Sequence, residues 1–264
     1  MDFNRFKEII IKNRTYSDSV KESLKVFHDR VRWNGNIPKI MKEIGEKLDV
    51  FIFQVPLADS DFGAVFLDTG YSKYLLLNSS QPRNKMYFSF CHDIYHIING
   101  VPEYINEKRE VHLNQDYLSN DNESKANLFA ANILMPEVEF RKMYDLYKDD
   151  NKEIEKIVAK LMNYFSSPFV AVLIRLYELE ILEKTEEVKD MLKYRDEQIK
   201  ELFDSLWLER DILEPTYKDE MPFVLNMLKI EGTDLVKKQL LSEYNYKRII
   251  DGIEKIYFDI RKKE

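Results

Sequence analysis

Residues 87–100, Tyr-Phe-Ser-Phe-Cys-His-Asp-Ile-Tyr-His-Ile-Ile-Asn-Gly, constrain this chain more than any other stretch. As a helix they would carry apolar groups on almost every side: Phe88, Phe90, Cys91, Ile94, Tyr95, Ile97 and Ile98. A helix with no polar face belongs at the centre of a domain. Yet this one also carries two of the chain's four histidines, His92 and His96, one turn apart and therefore on one face. An unpartnered buried polar group costs about 1–3 kcal/mol, so two of them on a central helix imply a shared ligand. The spacing lets both imidazoles reach one metal ion at zinc–nitrogen distances of roughly 2.0–2.1 Å.

Asp93 follows the first histidine, at the position where the zinc-hydrolase pattern HExxH has its general-base glutamate. The motif here is HDxxH, and aspartate's shorter side chain draws its carboxylate back by about 1–1.5 Å. Two readings stay open: a hydrolytic site with Asp93 as proton acceptor, or a site that binds zinc and cuts nothing. Cys91 points about 100° away from His92 and so is expected to be a small buried residue, not a ligand. The third ligand is sought in Asn122-Glu-Ser-Lys-Ala-Asn-Leu-Phe-Ala-Ala-Asn-Ile-Leu-Met-Pro136. There Ala126, Phe129, Ala130, Ile133 and Leu134 make a narrow small-residue face suited to close helix packing, and Pro136 stops the run. Glu123 lies one turn before Ala126 and Asn127 on that face and is the natural third ligand.

Around these segments the apolar spacing predicts helices over 3–12 and 18–33, with Ser17 or Asp18 as cap, and over 38–48. Three short runs, Val50 to Val55, Gly63 to Leu67 and Tyr74 to Asn78, read as a small antiparallel sheet. Tyr74 to Asn78 feeds directly into the histidine helix and is expected to be the edge strand that an extended peptide would join. Residues 103–121 are polar and aperiodic. A long amphipathic helix is expected over 186–210, then helices near 219–229, 233–243 and 246–262.

A net charge of −7 disfavours a nucleic-acid-coating role. A single cysteine excludes an internal disulfide and fits a reducing compartment. No run approaches the ~18 apolar residues needed to span a bilayer, and the first residues lack an apolar signal core, so a cytoplasmic protein is expected.

The run into HDxxH from Tyr74, the segment Glu123-x-x-Ala-Asn-x-Phe-Ala-x-x-Ile-Leu-Met-Pro136 and the order of elements around them resemble the ImmA/IrrE family of metallopeptidases. The resemblance implies an α+β fold, a small sheet with a zincin-like helical core over 1–150 and a helix-turn-helix-like unit over 151–184; it fades beyond Thr185, where the apolar spacing alone predicts a helical extension over 185–264. It implies that Zn²⁺ is held by His92, His96 and Glu123, and that the substrate is a small helix-turn-helix repressor. Oxyanion stabilisation is open among Tyr95, Tyr104, His112 and Tyr117. Arg175 is the one basic residue of the second helix in the helix-turn-helix-like unit before Lys184, too few for DNA readout, so that unit is expected to pack or dock.

Overall fold

The computed structural model describes residues 1–33, 35–60, 62–70, 72–100, 121–150, 153–182 and 185–261. Its α+β character matches the expectation: eleven α-helices and three strands among the described residues. The chain opens with α1 (Phe3–Arg30) and α2 (Ile37–Leu48), followed by β1 (Val50–Val55), β2 (Ala64–Asp68) and β3 (Lys73–Asn78). Next come α3 (Arg83–Asn99), α4 (Asp121–Leu134) and α5 (Glu137–Asp150). The helix-turn-helix-like pair is α6 (Ile154–Phe165) and α7 (Phe169–Glu178), with a 107° bend between them. The remainder is helical: α8 (Thr185–Met191), α9 (Asp196–Ser205), α10 (Met221–Lys237) and α11 (Glu243–Asp259).

The sheet differs from expectation in two ways. Its order is β1-β3-β2, and β1 pairs with β3 in parallel, from Val50 opposite Lys73 to Val55 opposite Asn78, so the sheet is mixed. Only β2 and β3 form the antiparallel pair. β3 is therefore central, not the edge: Leu75 and Leu77 are fully buried, and both of the strand's sides are already hydrogen-bonded. At its end the buried Asn78 accepts from Leu57 and Ser80 N–H and donates to the carbonyls of Asp59 and Phe62, fixing the loops that lead towards α3.

Three helix boundaries also differ. The expected break near Ser17 is absent, because Thr15 and Ser19 turn their hydroxyls back onto the carbonyls of Ile11 and Tyr16 inside one continuous helix. The expected helix over 186–210 breaks into α8 and α9, with Arg195 N–H donating to the Gln198 side chain as the second begins. The expected break near Gly232 is likewise absent: Gly232 lies inside α10 where that helix meets α11, and a Cβ there would come within 2.5 Å of the Tyr246 ring. Glycine marks a close approach, not a stop.

α3 packs between the sheet and α4, and α4 packs in turn on α1. A buried polar cluster ties α7 into this core. The Arg175 guanidinium donates to the Met135 carbonyl (3.2 Å) and to Asn132 Oδ1 (2.9 Å) and pairs with Glu178 (3.4 Å), whose other oxygen accepts from Asn13 on α1. The one basic residue of α7 is thus spent inside the fold. Breaking such a pair from one side strands a buried charge, whereas replacing both partners does not. Arg175→Met is expected to cost about 3–5 kcal/mol in urea unfolding, and Arg175→Met with Glu178→Met much less; equal losses would contradict the pairing.

Candidate metal centre

α3 starts behind Pro82 and ends at Gly100, whose φ of +79° suits glycine. Phe90, Cys91 and Ile94 are fully buried, as an all-round apolar helix requires. On α4, Ala126 and Ala130 are also fully buried, so the two backbones approach closely. Phe129 fills the remaining space, its ring 6.0 Å from that of Phe27 on α1 and 5.7 Å from that of Tyr95 on α3. This packing fixes the level of Glu123, one turn before Ala126, against the histidines.

The ligand atoms of His92, His96 and Glu123 all lie within 4.8 Å of one another. His92 Nε2 is 3.0 Å from Glu123 Oε2, His96 Nε2 is 3.4 Å from Glu123 Oε1, and the two Nε2 atoms are 3.2 Å apart. Bonds of roughly 2.0–2.1 Å in a tetrahedral site put neighbouring ligand atoms about 3.3–3.4 Å apart. The nitrogen–nitrogen separation and the carboxylate contacts, one Glu123 oxygen to each histidine, are therefore of the size one zinc ion requires. The histidine side chains are mostly buried, while Glu123 keeps 30% of its surface, so the site opens to solvent on its carboxylate side.

A fourth residue completes the geometry. His92 Nδ1–H donates to Asn127 Oδ1 at 2.8 Å. That bond places the neutral ring's hydrogen on Nδ1 and leaves the Nε2 lone pair facing Glu123 and His96, the tautomer a metal ligand needs. Asn127 sits one turn beyond Glu123 on the same face of α4. Sequence reasoning recorded this asparagine in the motif but gave it no role; its i, i+4 relation to Glu123 was the available signal.

With a proton also on Nε2, His92 donates to both Asn127 and Glu123. Burial alone would lower its pKa, but the hydrogen bond to Glu123, the Asp93 and Glu123 charges and the Asn127 contact outweigh burial and raise it. Burial would raise Glu123, but hydrogen bonds and charge from His92 and His96 prevail and hold its carboxyl well below the usual range. Asp93 is buried, which raises its pKa against the opposing pull of His92 and His96.

The structure brings His92, His96 and Glu123 together, with Asp93 beside them on α3. Cys91 is fully buried and its thiol is pushed up by burial, in keeping with a packing role. Tyr95 packs against Phe129 and stands edge-on to the His96 ring at 5.7 Å. Tyr104, His112 and Tyr117 lie outside the described residues.

A family model, Peptidase_M78, described as the IrrE N-terminal-like domain, matches residues 46–177. The chain belongs to the ImmA/IrrE family of metallopeptidases. No curated protein and no solved structure matches it. For this ImmA/IrrE chain the match runs from the end of α2 through α7 and so includes both α3 and α4.

A pH test follows from the charge arrangement. His92 is held above its ordinary 6.5 and Glu123 below its ordinary 4.5. In the metal-free protein their pairing is complete between those two values; it is lost as pH rises past the raised His92 value and as pH falls past the lowered Glu123 value. Urea midpoints of chelator-treated protein should therefore fall on both sides of this window, and Glu123→Gln should flatten the profile. Zinc affinity should instead climb with pH, because the ion has to displace the Nε2 proton.

Proposed function

We propose that this protein is a zinc-dependent endopeptidase in which His92, His96 and Glu123 hold the metal and Asp93 takes the proton. The observation that carries this reading is the convergence of two Nε2 atoms 3.2 Å apart on one carboxylate, whose Oε2 lies 3.0 Å from His92 and whose Oε1 lies 3.4 Å from His96, built on the HDxxH helix of a metallopeptidase family member. A zinc ion there would supply a Lewis acid that polarises a peptide carbonyl and acidifies water. The remaining tasks fall to the chain itself. His92 is oriented by Asn127, and Glu123 offers negative charge from the solvent side. Asp93 accepts a proton and passes it to the leaving amine, a task suited to a carboxyl whose pKa burial has raised.

The peptide is placed on β2. This strand is an edge, runs antiparallel to β3 and packs against α3. The opposite edge, β1, is partly occupied: Gln54 N–H donates to the Glu220 carboxylate and Glu220 N–H donates to the Gln54 carbonyl. An extended segment joining β2 would gain main-chain hydrogen bonds beside the metal helix. By family resemblance the substrate is a helix-turn-helix repressor, cut to relieve transcriptional repression in the cytoplasm. Among the described residues no single helix is long and apolar enough to cross a membrane.

Asp93 supports a second reading, a protein that binds zinc and a partner without cutting. Incubation with zinc and a small repressor encoded beside this chain separates the two. One discrete fragment is expected, with Asp93→Ala slower by about 10²–10⁴-fold and Asp93→Glu faster by up to about 10²-fold as the carboxylate regains its reach. If all three leave a bound repressor intact, the binding reading holds.

The Asn127 contact has its own test. Asn127→Ala is expected to weaken zinc binding by about 10–100-fold in a competition titration, while His92→Ala abolishes it. An unchanged affinity for Asn127→Ala would remove Asn127 from the site.

A further inference from the structure

α10 and α11 form a hairpin that leaves most of its apolar surface uncovered. Each helix has 17 residues, yet Leu225, Gly232 and Ile250 are their only buried residues. Lys229 pairs with Glu254 at 2.6 Å and Gly232 abuts Tyr246, so the helices run antiparallel, 229 beside 254 and 232 beside 246. The Lys229–Glu254 pair marks one side of the hairpin. Helical spacing places Leu228 and Leu235 of α10, and Ile249, Ile253, Ile256 and Ile260 of and just beyond α11, on the opposite side. The four isoleucines recur at intervals of four, three and four, the spacing of a knobs-into-holes seam. Leu228 and Leu235 are both 39% exposed, Ile249 47% and Ile256 62%. The monomer leaves this pattern only partly covered.

We propose that this face docks against the same face of a second copy, two hairpins closing into a four-helix bundle around a twofold axis. Three observations select this occupant. The face is a two-helix layer with a seam, which is half of a bundle and is complementary to another such layer. It measures roughly 25 by 20 Å from helix length and diameter, so two copies together would cover about 1,000 Å², the size at which a specific interface begins. Its charge permits self-association: residues 221–261 hold seven Lys or Arg and six Asp or Glu, near balance in a chain of net charge −7. A basic partner would gain little from this hairpin, and an acidic one little more. The hairpin's contacts with the rest of the molecule lie at its base, where α10 meets β1 and the Ile260 carbonyl accepts from Ala58 N–H, so the face stands clear of the metal centre's elements. The inference does not depend on the proposed peptidase activity.

Sedimentation of the full chain tests it. Wild-type protein is expected to sediment as a dimer, and Ile249→Glu/Ile256→Glu as a monomer with unchanged helix content by circular dichroism. Lys247→Glu, an exposed change off the seam, is expected to remain dimeric. A wild-type monomer at all concentrations, a dimer indifferent to the double variant, or a monomer that instead pelts with phosphatidylglycerol vesicles would overturn the proposal.

Discussion

The close approach of α3 and α4 is the constraint on which the candidate centre depends. Ala126 and Ala130 are buried to the last atom, and only side chains that short let the two backbones come near enough for Glu123 to reach between the histidines. Each helix then contributes two groups one turn apart: His92 and His96 from α3, Glu123 and Asn127 from α4. These pairs mesh so that His92 is engaged at both ring nitrogens by the same facing helix, Nε2 by Glu123 and Nδ1 by Asn127. A metal ligand fixed this way has neither its tautomer nor its ring angle free, and that pre-arrangement lowers the cost of binding.

Electrostatics reinforce the geometry. Two imidazoles and two carboxylates share a small, mostly buried space, and burial alone would favour the neutral forms of His92, Asp93 and Glu123. The histidines facing Glu123 hold its carboxyl well below the usual range, and the carboxylates around His92 hold its pKa above the ordinary histidine value. A divalent cation would replace the shared protons with a larger positive charge at the same point, so the metal-free pairing occupies the place of the ion.

What was legible in the sequence was local. The i, i+4 histidines, the small-residue face of Ala126 and Ala130, and Glu123 one turn upstream are statements about single helices, and the fold leaves them intact. Strand order was not legible, because the apolar run Tyr74-Leu-Leu-Leu fits a central or an edge strand equally and only pairing partners decide. The role of Asn127 was hidden for a related reason: it depends on which way the His92 ring turns across two helices. The continuity of α10 was not legible either, because glycine fits a helix end and a helix–helix crossing alike, and the Tyr246 ring that tells them apart at Gly232 lies fourteen residues further along the chain. The Ser17 region misled because hydroxyl side chains that often cap a helix can also bond back into one.

Asp93 is where local chemistry and global geometry pull in opposite directions. As a base it gains from its surroundings, since burial raises its pKa and strengthens its hold on a proton. As a reaching group it loses, because one methylene fewer withdraws its oxygens by about 1–1.5 Å, and an offset of ~1 Å can cost ~10²-fold in rate. The pKa gain cannot offset the reach, because proton transfer needs contact before basicity matters. Binding a metal makes no such demand on this side chain. The same three candidate ligands would therefore serve a fast enzyme, a slow one or a holder of partners, and the position of one carboxylate sorts among them.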